Sequence, residues 1–372
     1  MSSRTRISPA KHDPNELSRR EFLKAMGTVA GVSLLGMTGG SLLTGCAAPA
    51  SAPANVSVQL SWIKNVEFVG FYAADIKGYY KDEKLTVDLA GGGPGVVAGQ
   101  LVDARQKDIG VQLAAIDLIK SNAQGGKLVT FATLFQRSPA GLMYIAKHKD
   151  GRPGTVIDSP QKAKGKRIGL QPGAMLAWRV ICQKAGLNMD KDMQIVPVSF
   201  DPAPLIDGTI DGYWCFATNQ PGILRAQGYE VGVLDASQWG YTMYGGFLTC
   251  HQDYLKENKD VLVRFTRATI KGWVYANSHF DEMTKYVVDT FGKQLNLQYN
   301  QQLDEAKAQA DYLISDLTKS KGLFWLEQKN WSDTMQMLVE QKELDKPLDV
   351  NTFVTTAILE EVYKQGKSTV GQ

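Results

Sequence analysis

The chain has 372 residues, 44% of them hydrophobic and 21% charged, with 41 Lys and Arg against 38 Asp and Glu. That is an ordinary globular composition, enough for one large domain or two moderate ones with sizeable cores. The basic excess sits at the front: residues 1–45 hold six of the basic and three of the acidic side chains, leaving 35 of each sign, so no basic footprint for nucleic acid remains.

From the N-terminus, Ser18-Arg19-Arg20-Glu21-Phe22-Leu23-Lys24 precedes an uncharged, Gly-rich apolar run over residues 25–43. This is the pattern of a twin-arginine export signal. Glycines, serines and threonines weaken the run as a membrane-spanning helix. Leu43-Thr44-Gly45-Cys46 then has the form of a lipobox, in which small residues give a peptidase access to the bond before a thiol that is acylated. Acyl chains supply about 0.8 kcal/mol of membrane affinity per buried CH₂. Cys46 is therefore expected to be a lipid anchor, with residues 46–54 forming the anchor and an Ala/Pro/Ser tether. The other cysteines, Cys182, Cys215 and Cys250, are odd in number and lack CxxC spacing, and the four histidines are scattered. Neither a disulfide framework, a metal site nor a bound cofactor is expected.

After the tether, short β-rich runs alternate with helical stretches: VSVQLSW, LTVDLA, DIGVQL, KLVTFATLF, GLMYIA, KRIGLQ, MQIVPVSF, DGYWCF and YEVGVLD. Such alternation predicts an α/β fold with mostly parallel sheets covered by helices. Beyond Thr249 the pattern turns almost wholly helical. Gly165-Lys166-Arg167-Ile168-Gly169-Leu170 opens a second α/β unit like the one at Val56, which predicts two lobes with a cleft lined by loops at the carboxyl ends of strands. The lobes are expected to comprise residues 55–145 plus 248–372 and residues 146–247, with crossings near 142–146 and 246–250.

An exported, lipid-anchored, two-lobed chain reads as a solute receptor. The stretch from Val58 to Val96 is similar to the opening of the thiamine-precursor branch of substrate-binding proteins for ABC importers. Trp62, Asn65, Gly70, Phe71, Tyr72, Lys77, Gly78, Tyr79 and Tyr80 occupy that branch's characteristic places. The resemblance implies a type II periplasmic-binding-protein fold with a helical C-terminal region. It also implies a monomer that holds a flat heteroaromatic ligand, such as riboflavin or a thiamine pyrimidine, and docks on an ABC permease. Lys64 and Phe68 stand where many relatives have Pro and His, which points to a different or larger flat ligand. A sulfonate or taurine receptor is the alternative. The chain also resembles thiamine pyrimidine synthases, whose lysine and histidine positions are filled here by Gln112 and Ile116. Neither residue supplies a Schiff base or an imidazole nitrogen, so no enzyme activity is expected.

Period-two alternation carries Trp62 to the strand's carboxyl end, where its indole faces the predicted cleft. Asn65 and Glu67 follow in the loop and first helical turn, positions equally suited to capping and to holding an amine or ring N–H. Phe68, Phe71 and Tyr72 form a helical stripe, of which Phe68 alone lies close to the strand end. Gly92 and Gly93, and Gly173 in the corresponding loop of the second lobe, offer backbone N–H groups at strand-to-helix turns. Trp214 and Asn219 lie where a buried strand runs into a helix, Tyr241 and Tyr244 precede the return crossing, and Gln112 completes the candidates.

Overall fold

The computed structural model describes residues 52–371. The twin-arginine stretch and Cys46 lie outside them. Among the described residues no helix is long and apolar enough to cross a membrane.

The nine β-rich runs form β1 (Ala54–Gln59), β2 (Leu85–Ala90), β3 (Ile109–Gln112), β4 (Leu128–Phe135), β5 (Ala140–Lys147), β6 (Arg167–Leu170), β7 (Gln194–Pro197), β8 (Gly212–Phe216) and β9 (Glu230–Asp235). A tenth strand, β10 (Gly245–His251), follows them. The helices that matter here are α1 (Val69–Ile76), α2 (Ala98–Asp103), α3 (Ala115–Ala123), α4 (Met175–Lys184), α5 (Gln220–Ala226), α6 (Lys259–Ser278), α7 (Phe280–Val287), α8 (Tyr299–Leu313) and α9 (Gln328–Glu340).

Two five-stranded sheets result, in the orders β2-β1-β3-β10-β4 and β7-β6-β8-β5-β9. β1 is parallel to β2 and β3, and β6 to β7 and β8, while β10 and β5 run antiparallel to both their neighbours. The two orders are the same pattern repeated. In each sheet the antiparallel strand is the one laid down just after the chain arrives from the other lobe.

This exchange corrects the expected crossings. Residues 142–146 lie inside β5 and belong to the second sheet; residues 246–250 lie inside β10 and belong to the first. The passages between sheets are residues 136–139 and 236–244, which carry the turn residues Pro139 and Gly240. They run side by side, with the Ser138 N–H donating to the Met243 carbonyl at 2.8 Å. β10 resembled a connection because all seven of its residues are buried, which removes the alternation that marks a half-exposed strand.

In the first lobe, α1 lies directly against α6. A Cβ added to Gly70 would fall within the Trp273 ring, and one added to Gly272 would meet the Gly70 carbonyl. These two glycines let the helix backbones approach one another, and Trp273 fills the space beside them. Phe71 and Tyr80 complete the contact by packing on Phe265, at 6.4 Å and 5.6 Å between ring centroids.

Candidate ligand-binding site

The carboxyl ends of β1 and β6 are finished in the same way. Gln59 Nε2 donates to the carbonyls of Leu60 and Gly91, both at 3.0 Å, and Gln171 Nε2 donates to those of Trp214 and Ser199, at 3.1 and 3.2 Å. Each amide thus ties the loops at the carboxyl ends of its sheet, where the lobes face one another. From the first lobe comes Trp62, half-buried; from the loop after β7 comes Phe200, 50% exposed. Their rings meet at 5.0 Å between centroids and 60° between planes.

Deeper in, a short 3₁₀ turn, Val66–Phe68, follows Trp62. Asn65 caps it, its Oδ1 accepting from the Glu67 N–H at 3.2 Å, which is the helix-start role its short amide suits. The same side chain turns its Nδ2 to Glu305 Oε1 at 3.1 Å. Glu305 lies on α8, and its second oxygen accepts from Asn219 of the second lobe at 2.7 Å and from Gln302 at 3.2 Å. Gln302 also accepts from the Val66 N–H, and Gln309 donates to the Val66 carbonyl. α8 therefore presents a polar stripe at i, i+3 and i+7 that satisfies the turn and reaches across to the other lobe.

Burial pushes the carboxyls of both Glu67 and Glu305 up to about 8, and the charge of Glu67 adds to the rise at Glu305. Glu305 is 3% exposed and is held by three amide donors. Glu67 differs: protein encloses it closely enough to desolvate its carboxyl, yet the residue keeps contact with solvent, as at the bottom of a crevice. Among the described residues its carboxylate has neither a hydrogen-bond partner nor an ion pair, and no Lys, Arg or His pairs with Glu305 either.

The remaining candidates are placed differently. Phe68 is 1% exposed and packs on Phe71 at 6.5 Å, inside the first lobe's core; the helical stripe to which it belongs decides its direction. The Gly92 N–H is used in a turn, donating to the Trp62 carbonyl at 2.8 Å, so it is not free for an anion. Gly93 closes the same loop, its carbonyl accepting from Val96 at 3.0 Å. Gly173 is exposed in the turn ahead of α4. Gln112 is buried and donates to Thr249 at 2.9 Å, tying β3 to β10; it also borders a cavity of about 350 Å³ between α2 and α3. Trp214 and Tyr241 are buried edge-on to each other at 6.4 Å. Tyr244 packs on Trp331 of α9 and accepts from the Glu327 N–H at 3.0 Å. Asn65, Glu67 and Asn219 are thus drawn together around Glu305, and Trp62 meets Phe200, while the other aromatics pack against protein. Two participants escaped the sequence reading. Phe200 ends the run MQIVPVSF just as Trp62 ends VSVQLSW, a parallel that could have marked it, and the Gln302, Glu305 and Gln309 stripe was visible as polar residues recurring on one helical face.

The sequence profile described as NMT1/THI5 like matches residues 65–283. The chain belongs to this family. Among the relatives of this NMT1/THI5-like protein is the riboflavin-binding protein RibY of Chloroflexus aurantiacus, 26% identical over 335 residues that cover 84% of this chain and 90% of that one. The formylaminopyrimidine-binding protein of Halalkalibacterium halodurans is 21% identical over 315 residues, 83% and 92% of the two chains. A match at 28% identity to a Candida albicans 4-amino-5-hydroxymethyl-2-methylpyrimidine phosphate synthase covers 31% of this chain and 32% of that one. Among solved structures, the alkanesulfonate-binding protein SsuA of Xanthomonas axonopodis superposes with a TM-score of 0.61 at 16% identity, over 82% of this chain and 99% of that one. The fold is the two-lobed α/β fold of the periplasmic binding proteins, with a helical C-terminal region.

Proposed function

We propose that this protein is the solute-binding component of an ABC importer, and that it closes two lobes on a flat heteroaromatic vitamin or precursor, riboflavin or a thiamine pyrimidine. The observation that carries the reading is the meeting of Trp62 with Phe200 across the cleft. Two rings from opposite lobes form a slot that a planar ligand enters by parting them, and the ligand favours the closed state because both lobes touch it only there. Glu67, on the turn that follows Trp62, and Asn219 of the second lobe are the polar candidates for its edge. The relatives over most of the chain, named for binding riboflavin and formylaminopyrimidine, support the same class.

A sulfonate ligand fits this site poorly, because the Gly92 N–H that would hold an anion is already engaged. A synthase-like reaction lacks its lysine and histidine at Gln112 and Ile116. Residues 136–139 and 236–244 act as the hinge. The protein works as a monomer, exported by the twin-arginine route and held to the membrane by acylated Cys46, on the periplasmic or cell-surface side, where it meets its permease. Thermal-shift measurements with riboflavin, thiamine, its pyrimidines and taurine test the ligand class. A rise in melting temperature with one of the aromatic compounds is expected. A rise with taurine alone overturns the proposal.

A further inference from the structure

Helix α8 itself lies outside the family-matched region, and its Glu305 carboxylate bonds to both lobes. Glu305 accepts from Asn65 on one side and Asn219 on the other, at 3.1 and 2.7 Å, and is almost wholly buried between them. The close seating of α8 on α5 reinforces this: a Cβ on Gly222 would lie 3.7 Å from that of Asp304. Beside Glu305, on the 3₁₀ turn, is Glu67, an enclosed carboxyl with no partner. We propose that Glu305 is the clasp between the lobes, and that Glu67 beside it makes closure take up a proton.

The argument follows from what each carboxyl meets. Three amide N–H groups converge on Glu305, the arrangement that suits an anion. Nothing donates to Glu67, so in the closed cleft it is the member that keeps a proton, and the pair holds one proton between them. The other groups here are Tyr72 of α1, whose buried hydroxyl has no partner among the described residues, Tyr286 of α7, and the uncharged amides. The cation of this corner, Lys64, lies over the Phe291 ring at 5.4 Å. Once the lobes part, water reaches both acids and they return towards their ordinary value of 4.5, losing the proton. The closed form therefore has the raised pKa. The proton's contribution to closure is full below about 4.5, weakens as pH rises from there, and is lost by about 8.

This proposal uses the hinge of the binding role but not the identity of the ligand, so it is tested without one. Small-angle scattering of the ligand-free protein at pH 6.5 and 9.5 reads the ratio of compact to expanded forms. Wild type is expected to expand at the higher pH, the ratio falling about tenfold per pH unit up to about 8 and levelling off above it. Glu67→Gln, a permanent neutral mimic, is expected to stay compact at both. Asn219→Ala, which removes the second lobe's donor from a half-exposed position, is expected to be expanded already at pH 6.5. A wild-type radius that does not change, or a Glu67→Gln protein that expands as wild type does, overturns the proposal. Either result leaves the ligand class to its own thermal-shift test.

Discussion

Trp62 and Phe200 approach to 5.0 Å between ring centroids although one follows the first strand of one lobe and the other hangs from a loop of the second. Phe200 is half exposed even in this contact, so it contributes little to the core and its replacement should leave stability nearly unchanged. If the pair grips a planar ligand, Trp62→Ala and Phe200→Ala should each weaken riboflavin or pyrimidine binding by at least about 1 kcal/mol, roughly fivefold. Isothermal titration calorimetry checks this. Unchanged affinity in both folded variants would return the pair to simple packing.

Phe68 gives the opposite expectation, although it lies only six residues further on. It is fully buried against Phe71, so Phe68→Ala should cost about 3–5 kcal/mol of stability. The fraction that remains folded should bind ligand as wild type does. Urea unfolding followed by titration at low temperature separates the two effects, and a selective loss of affinity without destabilisation would put Phe68 back in the cleft.

These neighbours show where the sequence was legible. Period-two alternation carried the expected strand to Trp62, three residues beyond where β1 stops, and helical spacing assigned Phe71 and Tyr72 to the core; the same spacing, applied to Phe68, would have assigned it there too. Asn65 read as a cap and is one, yet its amide has a second face, which only the packing of α8 engages. The acid pair was hidden because Glu67 and Glu305 lie far apart in sequence and are brought together by tertiary packing. Strand β10 was hidden for a different reason: burial on both faces erased its alternation, and its Gly-Gly start resembled a hinge.

The approach of α1 to α6 makes a sharp stability prediction. A methyl group at position 272 has no space, since the Gly70 carbonyl and the Ala74 backbone already occupy it, and backbone cannot yield as a flexible side chain can. Gly272→Ala should destabilise by about 1–3 kcal/mol through forced separation of the helices, even though alanine is the better helix former. A lowered melting temperature is expected; a raised one would mean that the helices part without cost.

Arg167 and Asp211 should dominate the acid response of the second lobe. The Asp211 carboxylate accepts from the Arg167 backbone N–H at 2.8 Å and from its guanidinium at 3.0 and 2.8 Å, joining the starts of the parallel strands β6 and β8. The guanidinium holds this carboxyl below its ordinary value of 3.8. A depressed folded-state pKa means that the stabilisation is fully present above the unfolded value and is lost as pH falls through the folded one. Asp211→Asn should therefore lower the urea midpoint at neutral pH, and the gap between wild type and variant should close as pH falls from about 4 towards 2. A gap that stays constant across that range would show that the pair contributes through packing rather than charge.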